Sequence, residues 1–256
     1  MNRQIITLAI YVIIEALRTR FFAMILMLLF IGYALTLFIG EIALIESQAT
    51  QSSLLGAFLR LSALYGVSLF VITSIVREFN DNSIYLLFSF PLKRSSYFFG
   101  KLCGFTGIAL MTTLIFSFAL MSYAGYLQVL FWSLSLFCEL LIITSLSFLS
   151  VLTFQQTIQS FSFLIGFYIL ARSMGTIQLM AQASLSHSST WSDVLIATLI
   201  KLLATLLPHL DRFTPSEWLV YSSNYFEALV EIMLQTIIYV LLLIAMSLFD
   251  LYRKNL

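Results

Sequence analysis

Charge is scarce in this chain. Of its 256 residues 10% are charged, against about 25% in soluble globular proteins. No polar stretch is long enough to form a soluble domain with a core of its own. Cysteine is nearly absent. Cys103 and Cys138 are the two present; both lie in apolar runs, too few for a disulfide framework, and read as small buried hydrophobes. A phosphate-cradling G-x-x-x-x-G-K-[ST] loop is missing, because Gly100-Lys101 lacks the upstream glycine, so ATP and magnesium are not expected to bind here. H-E-x-x-H and G-x-S-x-G are missing too, which leaves an intramembrane hydrolase without support. His187 and His209 are the two histidines. They are not paired with cysteines and read as solvated loop residues rather than metal ligands. Catalytic residues, a resident metal or cofactor, and a nucleic-acid partner are not expected.

What is abundant is apolar: 61% of residues are hydrophobic and the mean hydropathy is +1.00. An apolar run of about 20 residues crosses a bilayer as a helix. Six such runs are present, at 21–44, 54–76, 97–123, 127–154, 158–179 and 228–249. The predicted fold is an all-α integral membrane protein, one transmembrane domain over 1–256, in contact with membrane lipids. The N-terminal run is broken by Glu15, Arg18 and Arg20 and lacks a small-residue cleavage site, so it does not read as a signal peptide.

Lys and Arg near span ends set orientation. With both termini inside, the cytoplasmic side holds Arg3, Arg18, Arg20, Arg77, Lys93, Arg94, Lys101, Arg253 and Lys254, nine of 13. Arg60, Lys201 and Arg212 fall outside, together with Glu41, Glu46, Asp193, Asp211, Glu217 and Glu227.

Ahead of the first span, 1–20 reads as an interfacial helix. Ile5, Ala9, Val12, Ile13 and Ala16 make its apolar face; Gln4, Thr7, Tyr11, Glu15 and Arg18 take the other. The longest outer segment is 182–224. Ser184, Ser186, Ser188 and Ser189 suggest a polar turn. A stretch of about 15 residues, 193–207, is too short to cross comfortably and reads as an interfacial or re-entrant helix stopped by Pro208. Thr214, Pro215 and Glu217 predict a capping box opening a second short helix that ends near Tyr221. Asn224 and Glu227 repeat the cap pattern before the last span.

The loop 77–96 is unusual for a connector. Asn80, Asp81 and Asn82 supply turn and cap chemistry. Residues 83–90 fit two helical turns with Ile84, Leu87 and Phe88 on one face, and Pro91 stops them. Ser95 or Ser96 then caps the third span. Apolar side chains on so short a loop helix touch the bilayer or enter a partner's groove.

The amphipathic N-terminal helix, the six spans, and a first loop carrying Arg77-Glu78, Leu86-Leu87, Pro91, Arg94, Tyr97 and Gly100-Lys101 resemble permeases of the ABC-2 type. So do the short outer helices and the basic end at Tyr252-Arg253-Lys254, so the resemblance spans essentially the whole chain. That family often has a glycine or threonine shortly after the glutamate, where this chain has Asp81-Asn82-Ser83. Within the family, the size and the Leu207-Pro208, Phe213 and Trp218 pattern are similar to permeases associated with multicopper-enzyme maturation. The resemblance implies a non-catalytic membrane subunit of an ATP-binding-cassette exporter in the bacterial inner membrane. It implies separate cytoplasmic ATPase subunits that bind ATP and magnesium, and a second permease copy or sister chain. It makes the loop helix a coupling helix, with Glu78, Asp81, Leu87, Phe88, Pro91, Lys93 and Arg94 facing the ATPase. Two alternatives stand beside it. One is a non-transporting subunit that drives an outer-face, periplasmic partner through 182–224. The other is an ATP-independent channel or secondary carrier.

Charges inside spans are costly unless paired. Glu139 and Arg172 lie at comparable depths on spans joined by the short 155–159 connection, and are expected to pair or share a water cavity, whether for packing or for transport. Glu231 lies near the outer surface and faces water; Glu41 and Arg60 are placed to meet there. Small residues at four-residue spacing, Gly100, Gly104 and Gly107 with Cys103, and Gly32, Thr36 and Gly40, predict close intramolecular helix contacts.

Overall fold

The computed structural model describes residues 2–42, 47–81, 94–187, 191–221 and 225–253. Every long element is a helix, and no strand occurs among the described residues. In chain order the helices are α1 (Asn2–Arg18), α2 (Phe21–Ile42), α3 (Ser47–Asn80), α4 (Arg94–Leu120), α5 (Tyr126–Phe154), α6 (Thr157–His187), α7 (Trp191–Leu206), a 3-10 turn at Leu210–Arg212, α8 (Glu217–Val220) and α9 (Phe226–Arg253). Six of them, α2 to α6 and α9, are long and apolar enough to cross a membrane. The chain is a multi-pass membrane protein, and its six expected spans are present.

Several ends differ from expectation. α3 has 34 residues, about 51 Å at 1.5 Å per residue, against a hydrocarbon core of about 30 Å. The helix is therefore longer than the apolar layer, and its last turn carries Arg77 and Glu78. α4 already begins at Arg94, so Ser95 and Ser96 lie inside the helix and do not cap it. α6 runs on to His187, which puts Ser184 and Ser186 in the helix rather than in a turn. Residues 82–93 and 222–224, with Leu87, Phe88, Pro91, Lys93 and Asn224, lie outside the described residues.

The core is a three-helix centre of α3, α4 and α5. In their most apolar windows 67%, 56% and 78% of residues are buried, against 17% to 22% in α2, α6 and α9. Those three form the outer wall. Phe98, Phe105 and Phe148 fill the centre with edge-on ring contacts, a geometry that adds to area burial. α5 reverses into α6 at Gln155, a non-glycine residue at φ 57° whose N–H returns to the Val151 carbonyl at 2.9 Å. Consecutive spans alternate direction. One end of the bundle gathers Arg18, Arg20, Arg77, Arg94, Lys101 and Arg253; it is called the basic end below.

α1 lies along α4. The small-residue stripe of α4 is the reason. A Cβ on Gly104 would sit 2.6 Å from Val12 Cβ, and one on Gly100 2.8 Å from Leu8 Cβ. Val12 and Ala16 are fully buried there. Glu15 departs from expectation: it points inward to the α3–α4 junction rather than away from it. Ile6, Ile10, Ile14 and Leu17 form a second apolar stripe facing outward, each at least half exposed. Gly104→Ala is expected to cost about 1–3 kcal/mol by overpacking and to loosen α1. Faster alkylation of a Val12→Cys reporter in the Gly104→Ala background would register it; an unchanged rate would refute this docking.

Candidate functional site

Two charged centres stand out, one inside the bundle and one at its basic end.

The inner centre is built on α5. Glu139 lies 13 residues into that helix, about 20 Å from its start, and is 0% exposed. A buried carboxylate is tolerated only with donors around it. Tyr168 Oη donates to Oε1 at 2.9 Å, and Thr214 Oγ1 donates to Oε2 at 2.8 Å. Arg172 Nη1 stands 3.7 Å from Oε1. The expected Glu139–Arg172 pair is present, but the arginine's shorter bonds go elsewhere. It donates to the Leu210 carbonyl at 2.7 Å and the Phe213 carbonyl at 3.2 Å. Arg60 of α3 donates to the Thr214 carbonyl at 3.2 Å, and the Thr214 N–H donates to Ser135 Oγ at 2.9 Å.

These bonds pull the chain between α7 and α8 into the bundle. Leu207, Leu210, Phe213, Trp218 and Leu219 are buried, packed where α3, α5 and α6 meet. Non-helical backbone at membrane depth is tolerated when protein satisfies its carbonyls, and here two arginines do so. Asp211 packs against α6 at Gly175, where any Cβ would collide with its carboxylate. Asp211 Oδ1 and Arg60 Nε are buried without a hydrogen-bond partner among the described residues.

Two expectations are overturned. Arg60 does not meet Glu41; its side chain is spent on the Thr214 carbonyl, which the inserted turn brings within reach. The Thr214 capping box does not form either. Thr214 takes φ 46° and gives its hydroxyl to Glu139, while Ser216 occupies the N-cap of α8 without a side-chain bond. A hydrogen bond to a buried carboxylate outweighs a cap bond to a neutral amide. α8 still ends at Val220, next to Tyr221. Glu231 lies 3.4 Å from Arg212; both are exposed, and such a pair contributes little.

The second centre lies where α1, α3 and α4 meet. Tyr97 and Lys101 are four residues apart on α4 and share a face. Lys101 is 4% exposed and pairs with Glu78 at the end of α3 and, at 3.8 Å, with Glu15 of α1. Tyr97 Oη donates to Glu78 Oε2 at 2.6 Å, and Ser74 Oγ donates to Glu15 Oε2 at 2.9 Å. The clasp holds the two ends of the 82–93 loop together and fastens both to α1.

Comparison with models of known protein families finds no match. Comparison with curated proteins finds none either.

Of the loop residues singled out from sequence, Glu78 is turned into the clasp. Asp81 is exposed, its N–H bonded to the Arg77 carbonyl at 2.9 Å. Arg94 Nη1 donates to the Leu251 and Tyr252 carbonyls at 3.2 and 3.4 Å, satisfying the last turn of α9. Sequence reading missed Tyr168, Ser135 and Asp211 as members of the inner centre. A signal was present for the first two: each stands four residues from a charged partner, Tyr168 from Arg172 and Ser135 from Glu139, on one helix face.

Proposed function

We propose that the chain is the membrane-spanning permease subunit of an ATP-driven exporter, working with separate cytoplasmic ATPase subunits and a second permease copy or sister chain. The observation that carries this reading is the clasp. The loop residues behind the family resemblance, Glu78, Tyr97 and Lys101, meet one another at the base of the loop. A plain connector needs no buried lysine between two carboxylates. A loop that receives force needs a stiff base, and this one is tied to three helices at once. In this reading α1 is the interfacial elbow with Ile6, Ile10, Ile14 and Leu17 toward lipid, 77–96 holds the coupling helix, and both termini are cytoplasmic in a bacterial inner membrane. Glu78 and Arg94 fix the loop's surroundings, while Phe88 and Leu87 enter the ATPase.

A second reading has one observation in its favour. The 207–221 segment is fastened to α3, α5 and α6 through Arg60, Glu139 and Arg172. Movement of those helices would move that face, as a subunit driving a periplasmic maturation or assembly partner requires.

The deciding experiment is a mild-detergent pull-down of the tagged chain, wild type beside Phe88→Asp and Glu78→Ala, with co-purifying proteins identified. A Walker-containing ATPase is expected with wild type and lost with Phe88→Asp. No ATPase with any version, while other membrane complexes stay intact, would replace this reading by an autonomous channel or carrier.

A further inference from the structure

Beside the clasp, a cleft of about 720 Å³ opens at the basic end between α1 and the last turn of α3; Tyr11, Ile14, Glu15, Arg18 and Arg77 are on its walls. A second cleft of about 260 Å³ shares Glu15, Thr19 and Arg77 with it and continues toward the apolar layer past Arg20, Phe21, Met24, Gly66 and Leu69. The two meet at Glu15, Thr19 and Arg77, so that a cationic mouth, with Arg20 at its neck, leads into an arm walled by Phe21, Met24, Gly66 and Leu69. From Arg77 to Gly66 it follows 11 residues of α3, about 16 Å at 1.5 Å per residue.

The charges at the mouth are unequal. Lys101 is occupied by Glu15 and Glu78. Arg18, Arg20 and Arg77 are exposed and have no ion pair among the described residues. Four cations against two carboxylates leave the mouth positive. The hydroxyls along the arm are engaged within the protein: Thr19 donates to the Glu15 carbonyl, Thr73 to the Leu69 carbonyl and Ser74 to the Glu15 carboxylate.

We propose that this groove binds one anionic phospholipid, its phosphate among Arg18, Arg20 and Arg77 and an acyl chain along Phe21, Met24, Gly66 and Leu69. Guanidinium groups suit phosphate oxygens because their planar donors bind two at once. The occupant is a lipid rather than a free anion because the cationic mouth opens into an apolar arm running along two membrane-spanning helices. The ligand would bridge α1, α2 and α3 beside the clasp, so it would tie α1 to the bundle. The inference rests on the membrane-spanning helices alone and stands whether or not an ATPase partner exists.

The test is lipid retention on the full chain, purified in detergent and read by native mass spectrometry after titration with phosphatidylglycerol, phosphatidylcholine or inorganic phosphate. One phosphatidylglycerol per chain is expected to persist, with phosphatidylcholine held at least tenfold more weakly and inorganic phosphate failing to displace the lipid. Arg18→Gln with Arg77→Gln is expected to lower retention at least tenfold, while Arg253→Gln, elsewhere at the basic end, leaves it unchanged. Leu69 is 41% exposed, so Leu69→Trp fills the arm from outside without touching the core and is expected to lower retention with every arginine in place; this arm stands if the double variant fails to fold. Equal retention of the two lipids, displacement by phosphate, or wild-type retention in Leu69→Trp would each overturn the proposal.

Discussion

Arg172→Met is expected to be among the most damaging single changes in the protein, lowering stability by about 3–5 kcal/mol, the scale for breaking a buried charged pair. Two losses combine. Glu139 keeps Tyr168 and Thr214 but loses its nearby cation, and the Leu210 and Phe213 carbonyls lose their donor. Glu139→Gln is milder, about 1–3 kcal/mol, because an amide oxygen still accepts one hydroxyl and the other can rotate. The charge swap, Glu139→Arg with Arg172→Glu, is expected to be no better than either single change. A carboxylate at 172 would face two carbonyl oxygens, and an arginine at 139 would face hydroxyls that now donate. Failure of the swap therefore does not argue against the pair in this site. Thermal unfolding in detergent, with protease cleavage in 207–221 as a local probe, reads both effects. Wild-type unfolding and wild-type protection in Arg172→Met would show that the arginine does not hold the inserted segment.

The second large effect is expected at Lys101. Lys101→Met leaves Glu15 and Glu78 without their shared cation at a site where the lysine is 4% exposed. The cost is about 3–5 kcal/mol, and the two ends of the 82–93 loop should part. Adding Glu78→Leu to Lys101→Met removes one stranded carboxylate and is expected to recover part of the loss, because replacing a buried pair by apolar groups is often close to neutral. Protease cleavage within residues 82–93 follows the separation. Equal cleavage rates in wild type and Lys101→Met would mean that the clasp does not hold the loop's base. If Glu78→Leu fails to improve on Lys101→Met, the lysine stabilises the junction by packing its stem rather than by charge.

Most of the architecture could be read from the order of residues. Six spans follow from apolar runs matched to bilayer thickness, because in hydrocarbon a backbone must satisfy its own hydrogen bonds and the helix does so locally. The Glu139–Arg172 pair was legible for a related reason: two opposite charges at similar depth on adjacent spans have few other partners. The α4 glycine stripe announced a close neighbour but not which one. That neighbour is α1, and only the packing of Leu8 and Val12 onto Gly100 and Gly104 establishes it.

What sequence could not supply were bonds whose partners are far apart along the chain. Thr214 reads locally as a cap, and in isolation a cap is the better use of its hydroxyl. Once 207–215 is inserted beside α5, a buried carboxylate becomes available and the hydroxyl goes there. Arg60 was assigned to the nearest acidic residue in depth, but a carbonyl 154 residues away takes it. Glu15 was placed on the polar face of α1, yet it is drawn inward by Lys101, which α4 presents only when α1 lies along it. Span number and hydrophobic depth were determined by the sequence alone, because they depend on local hydrogen bonding and transfer from water. The partners of each charge were decided by tertiary structure, because electrostatic pairing depends on distance in space and that distance is set by helix packing.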